Sequence, residues 1–217
     1  MDDRGYWVEE QKEALVEALL SIDRMEVKSI LTRSLPEVSP IMLIEKLISP
    51  ALERIGLEWE QGRLSLSQVY MSGRICEEVI DQILPPGRSA ARRQPKMAIA
   101  VLEDYHLLGK RIVYSIMRAN GYDLLDYGRM SVDELVEIVT QERIEILLIS
   151  VLMLPSALRV KQLRERLYAK GLGTKIVVGG APFRFDDQLW QEVGADACGK
   201  AASDVLAIVR RLVGDSV

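Results

Sequence analysis

Apolar and polar positions change rhythm near the middle of the chain. In the first part they recur at helical spacing: Val8, Leu15, Ala18, Leu19 and Ile22 share one face of a helix over 8–22. Asp23 stands three residues ahead of Glu26, the spacing of a capping box, and opens a second helix over about 24–35. Ser39 followed by Pro40 supplies a cap and a first-turn proline for a third helix. That helix runs to about Gly62, with a kink or break expected at Pro50. Ser65 with Gln68 opens a fourth, through about Ile83. Four helices joined by short turns make a small bundle.

From Met97 onward short apolar runs alternate with helical stretches. The runs fall at 97–102, 122–126, 145–151, 175–178 and 195–198. The helices follow at about 108–119, 131–141, 156–170, 185–192 and 201–213. Ser131 with Glu134 caps one of them, and Gly121 and Gly171 end two others. Five strands alternating with five helices predict a doubly wound parallel sheet of flavodoxin-like order, 2-1-3-4-5. Between the halves, PPGRSAARRQPK (85–96) has the prolines and basic residues of an exposed linker. The expected organisation is therefore a four-helix bundle over 1–86, a linker over 87–96 and an α/β domain over 97–217.

Composition narrows the class without naming a task. The chain has 217 residues, 48% hydrophobic and 28% charged, enough to bury a core without disulfide or metal staples. A net charge of −4 argues against nucleic acid as a partner. The start of the chain is acidic, with no basic segment leading into an apolar one, and the longest apolar stretch is too short to span a bilayer. A cytoplasmic protein is expected, with no membrane partner. Cys76 and Cys198 stand far apart and form no Cys/His cluster, so they read as two buried thiols in a reducing compartment.

In a doubly wound sheet, ligands bind outside the carboxyl ends of the strands, near the point where strand order reverses. Three unusual segments fall there: Glu103-Asp104-Tyr105-His106-Leu107-Leu108-Gly109, Ser150-Val151-Leu152 and Gly179-Gly180-Ala181-Pro182. A carboxylate two residues from an imidazole can accept a hydrogen bond from one ring nitrogen and leave the other for a metal. His106 is the only histidine and cannot build a transition-metal site alone. A metal bound here would arrive with most of its ligands attached, as in a tetrapyrrole-like cofactor. The spacing alone favours a surface histidine with no task, and the glycines fit ordinary turns as well as a binding role.

Asp104, His106 and Gly109 resemble the D-x-H-x-x-G signature of cobalamin-binding domains of the methionine synthase and corrinoid methyltransferase type. Ser150 and Leu152 resemble that family's S-x-L, and Gly179-Gly180 its paired glycines. The Gly194–Gly199 segment followed by a helix, and in the helical half Glu58-Trp59-Glu60-Gln61-Gly62 and Gln68-Val69-Tyr70, extend the resemblance over nearly the whole chain. The resemblance implies a helical cap domain and a cobalamin cofactor, for example methylcobalamin. His106 would be the lower axial ligand of cobalt in place of the cofactor's own base, with Asp104 orienting it. Ser150 would bond the displaced nucleotide tail, and Gly109, Gly179 and Gly180 would let the backbone approach it. Trp59 either covers the upper face of the corrin or is the main core residue of the bundle. Met42, Tyr70 and Met71 are expected in the core. Two features depart from the family: Leu107-Leu108 stand where many carriers have an acidic residue and isoleucine, and Leu102-Glu103 precede the loop without a glycine.

The resemblance implies a corrinoid carrier that shuttles a methyl group between a donor-specific methyltransferase and an acceptor methyltransferase, with a reductive activase as a further partner. Such a carrier is not catalytic by itself. One alternative is a cobalamin-dependent sensor or photoreceptor. Those carry Glu-His where this chain has Val69-Tyr70, and add a DNA-binding domain before a helix that here has seven residues ahead of it. A cobalamin store is another alternative. A phosphorylation receiver is a third, and it needs an aspartate where Ser150 stands.

Overall fold

A computed structural model describes residues 3–83 and 94–214. The chain divides into two compact units, Met1–Leu84 and Pro85–Val217. Most of the linker expected at 87–96 lies outside the described residues.

In the first unit α1 (Asp3–Leu20), α2 (Arg24–Ser34) and α5 (Leu66–Ile83) stand with a composite third helix. Its parts are α3 (Pro40–Leu43), a π-helical turn (Ile44–Ile48) and α4 (Ser49–Glu60). The first helix begins at Asp3, earlier than the expected residue 8. Capping follows the sequence: Asp23 accepts the Glu26 N–H at 2.9 Å, and Ser65 and Gln68 bond each other's backbone N–H reciprocally. Pro50 causes no break. Its ring has no N–H and would crowd the carbonyl four residues back, and the turn before it widens so that the Ser49 N–H reaches the Ile44 carbonyl, five residues back. Leu15, Leu19, Ile30, Leu31, Leu47, Ile48, Ile55, Ile75 and Ile80 are fully buried at this unit's centre. Two residues expected in that core, Met42 and Tyr70, are exposed instead, and Met71 is half-buried. Helical spacing places a residue on a stripe, and the edges of the stripe reach solvent.

The second unit is a five-stranded parallel sheet of order β2-β1-β3-β4-β5, with β1 at Met97–Leu102, β2 at Leu125–Met130, β3 at Ile146–Ser150, β4 at Lys175–Gly179 and β5 at Ala197–Gly199. The helices are α6 (Leu108–Ala119), α7 (Val132–Glu142), α8 (Leu154–Ala169), α9 (Pro182–Phe185), α10 (Leu189–Glu192) and α11 (Asp204–Val213). β1 is buried along its length, as expected of a strand covered on both faces. Ala98, Ala100, Leu102, Leu147, Ile149, Ile176 and Val178 point to one face and pack with Val136, Val139, Val160 and Leu163 of α7 and α8. Side chains alternate along a strand, so Ile99, Val101, Leu148, Ser150, Val177 and Gly179 take the other face, against which α6 and α11 pack.

Two elements differ from expectation. β2 starts three residues later than the apolar run at 122–126. Tyr122 and Leu124 bury themselves in the turn before the strand, while β2 is an edge strand whose own residues are largely exposed or half-buried. Its Asp126 pairs with the buried Lys110 of α6. The helix expected at 185–192 is instead two short turns, α9 and α10, because Asp186 and Asp187 interrupt it and Asp186 caps α10 through Gln188 and Leu189. Among the described residues, no helix is long and apolar enough to cross a membrane.

Candidate functional site

The carboxyl end of β1 meets β3 and β4 in register. Val101 pairs with Ser150, Ser150 with Gly179, and Gly179 with Gly199 of β5. One row across four strands therefore carries small side chains or none at its last three positions. Gly109, in the first turn of α6, lies over this row: a Cβ there would stand 2.8 Å from Ser150 Oγ. Gly180 takes φ +125°, and a Cβ would fall 1.7 Å from the Val151 carbonyl, so no other residue fits without moving backbone. Gly179 is less constrained, with its absent Cβ 3.3 Å from the Gly199 carbonyl.

The loop after β1 is organised by one carboxylate. Asp104 is 2% exposed. Its Oδ1 accepts the backbone N–H of Tyr105 at 2.7 Å and of His106 at 3.2 Å, and faces His106 Nδ1 at 2.7 Å. Its Oδ2 accepts the N–H of Leu152 at 2.7 Å and of Met153 at 2.9 Å, the two amides that lead into α8. A helix N-terminus favours an anion. Burial by itself would raise this carboxyl, but hydrogen bonds from the His106 ring and from the amides of Leu152, Met153 and His106 outweigh it and hold Asp104 well below the usual carboxylate range. Facing an ionised carboxylate, Nδ1 carries the ring's proton in the neutral imidazole, and Nε2 keeps its lone pair. The ring is 30% exposed, and among the described residues no protein donor or acceptor meets Nε2. No group of three or more His, Cys, Asp or Glu side chains gathers to hold a metal among the described residues. A metal at Nε2 would have one protein ligand and would bring the rest.

Asp104, His106, Gly109, Ser150, Gly179 and Gly180 are thus brought to the same end of the sheet. Leu152 contributes through its backbone, while its side chain is exposed. Trp59 belongs to the first unit, near the end of α4, and at 38% exposed it is not the bundle's main core residue. Cys198, expected buried, is half-buried, and desolvation pushes its thiol up to about 11. Sequence reasoning missed the Met153 amide and Gly199 as members of the site. A backbone N–H leaves no mark in a sequence, whereas Gly199, closing the Ala197-Cys198-Gly199 run, carried a signal in its place at a strand end.

Fold and site together define a class: an α/β domain with one oriented imidazole beside a row of small residues at the carboxyl ends of its strands. The chain belongs to the B12 binding domain family, whose model matches residues 96–209, and a second model of the same description matches 11–84. Its fold is that of a helical domain followed by a flavodoxin-like B12-binding domain, and cobalamin is its cofactor. It is 31% identical to monomethylamine corrinoid protein 1 of Methanosarcina mazei, over 81% of this chain and 84% of that one. It is 26% identical to the dimethylamine corrinoid protein of Methanosarcina barkeri, over 94% and 98%. The solved monomethylamine corrinoid protein of Methanosarcina barkeri matches with a TM-score of 0.79 at 25% identity, covering 94% of this chain and 99% of that one. The chain is homologous to these corrinoid proteins of methylamine systems. The residues present fit the cofactor: among the described residues no protein group meets His106 Nε2, and the row beside it ends in Ser150, Gly179 and Gly199, which leave little side chain in the way.

Proposed function

We propose that this protein is the corrinoid carrier of a multi-component methyltransferase, holding cobalamin with its own lower base displaced and His106 in its place. Bound cobalamin would supply a cobalt centre able to carry a methyl group. The chain's own residues do the rest. His106 presents Nε2 as the lower ligand. Asp104 keeps the proton on Nδ1 and the ring in one orientation, and makes the imidazole a better donor. Gly109, Ser150, Gly179 and Gly180 line the space for the displaced nucleotide tail, with Ser150 Oγ as its hydrogen-bonding group. The partners on this reading are a donor-specific methyltransferase, an acceptor methyltransferase and a reductive activase. The observation that carries the reading is the Asp104–His106 contact of 2.7 Å, with the carboxylate pinned by four backbone amides.

The test is reconstitution with hydroxocobalamin, removal of free cofactor and a visible spectrum of wild type and His106→Ala. Wild type is expected to retain the cofactor with a histidine-ligated, base-off spectrum, and the variant to lose that signature. An unchanged spectrum in the variant refutes the ligand assignment.

A further inference from the structure

The residue before Asp104 carries a backbone conformation that its side chain makes costly. Glu103 has φ +46°, in the left-handed region that residues with a Cβ avoid. Every polar group of Glu103 is engaged. Its N–H donates to the Met130 carbonyl at the end of β2, at 2.9 Å. Its carbonyl accepts from Ser156 Oγ at 3.0 Å, and Ser156 is buried in the first turn of α8. Oε1 accepts the Val132 N–H, the first amide of α7, at 3.2 Å. Oε2 pairs with Arg159 Nε of α8, also at 3.2 Å. One residue at the end of β1 is therefore tied to β2, α7 and α8, and the next residue is the carboxylate that holds His106.

We infer that Glu103 is a positioning residue for His106: its carboxylate, anchored on α7 and α8, holds the left-handed turn that directs Asp104 toward the amides of Leu152 and Met153. This deepens the proposed function and rests on its assignment of His106 as the cobalt ligand. The turn reverses the chain as it leaves the sheet. Without the two side-chain anchors, the loop keeps its covalent path but loses what fixes the direction of the following carboxylate. Ser156 and Met130 grip only the backbone and would remain in any variant, so the side chain's own contribution can be isolated.

Glu103→Ala and Glu103→Gly separate that role from a merely structural one. Glycine adopts positive φ without penalty, so Glu103→Gly should resist urea better than Glu103→Ala, although both lack the anchors. His106 is the only histidine, and nitrogen NMR of the cofactor-free protein in mildly alkaline buffer reads its tautomer without ambiguity. Wild type is expected to show the proton on Nδ1, and both variants a mixture of tautomers. Both variants should also hold hydroxocobalamin about ten-fold or more weakly, the scale for residues that orient a ligating histidine. A wild-type tautomer in either variant overturns the proposal. If Glu103→Ala fails to fold, Glu103→Gly decides alone. Failure of wild type to give a histidine-ligated cobalt spectrum would refute the proposed function, while the tautomers in the cofactor-free protein would still decide the role of Glu103.

Discussion

Asp104 concentrates the chemistry of the loop in two oxygens. Replacing it with Asn turns one oxygen into an NH2 donor. That donor must face a backbone N–H or the His106 ring, because both oxygens accept from such groups. A buried donor set against a donor costs about 2–3 kcal/mol, and Asp104→Asn should lower the stability of the cofactor-free protein by that much in urea. The pH dependence has a definite sign. Asp104 is held below its ordinary range in the folded protein, and so is Asp196, where hydrogen bonds from the Ile176 amide and from Lys175 and Arg164 outweigh burial. The unfolded chain then binds more protons at low pH, so these carboxylates stabilise fully above about pH 4, the ordinary aspartate range. Their contribution is lost as pH falls through the lower folded values. Stability measured from neutral pH downward should decline in wild type and decline less steeply in Asp104→Asn. Equal slopes would show that Asp104 is not depressed. At the residue scale the spacing of Asp104 and His106 was visible in the sequence, but only the family resemblance gave it a role. The four amides that pin the carboxylate were not visible there, since every residue but proline carries one.

At the scale of elements, the ends of the strands matter more than their middles. β4 closes against β3 at Gly179 and Gly180, and the Val151 carbonyl occupies the space that a side chain at 180 would need. Gly180→Ala should destabilise the second unit by about 3–4 kcal/mol, combining a disfavoured φ with a backbone clash, and should abolish cobalamin retention. Thermal unfolding and a retention assay check this, and a stable variant that keeps its cofactor would contradict it. Capping signals were read correctly at Ser65 and Ser131 because a capping box is local chemistry. β2 was misplaced because an edge strand need not be apolar, and the apolar residues nearby, Tyr122 and Leu124, bury themselves before it begins. Pro50 was read as a kink or break because proline disrupts regular α-helix. The structure shows no break there and places a π turn immediately before it, with Leu47 and Ile48 buried in the core.

At the scale of the whole molecule, all of the proposed contacts except Trp59 lie in the second unit, within the 96–209 match. A ligand that binds only the folded form stabilises it by mass action, by about 2.7 kcal/mol at a hundred times its dissociation constant. Hydroxocobalamin at that excess should raise the unfolding temperature of wild type, and His106→Ala should lose part of the rise at the same concentration. An equal rise in both would mean that the imidazole adds nothing to binding.

The sequence by itself determined the periodicities, and with them the helical unit, the parallel sheet and its strand order. Hydrophobic period and local capping are properties of neighbours along the chain; the candidate ligand came from a segment that resembles a known cofactor-binding signature. Only the tertiary structure decided that Ser150, Gly179 and Gly199 form one row, that Gly109 lies over it, and that Glu103 turns left-handed against α7 and α8. Register and close approach are relations between segments dozens of residues apart. They are set by which side chains must share the core, and no local pattern encodes them.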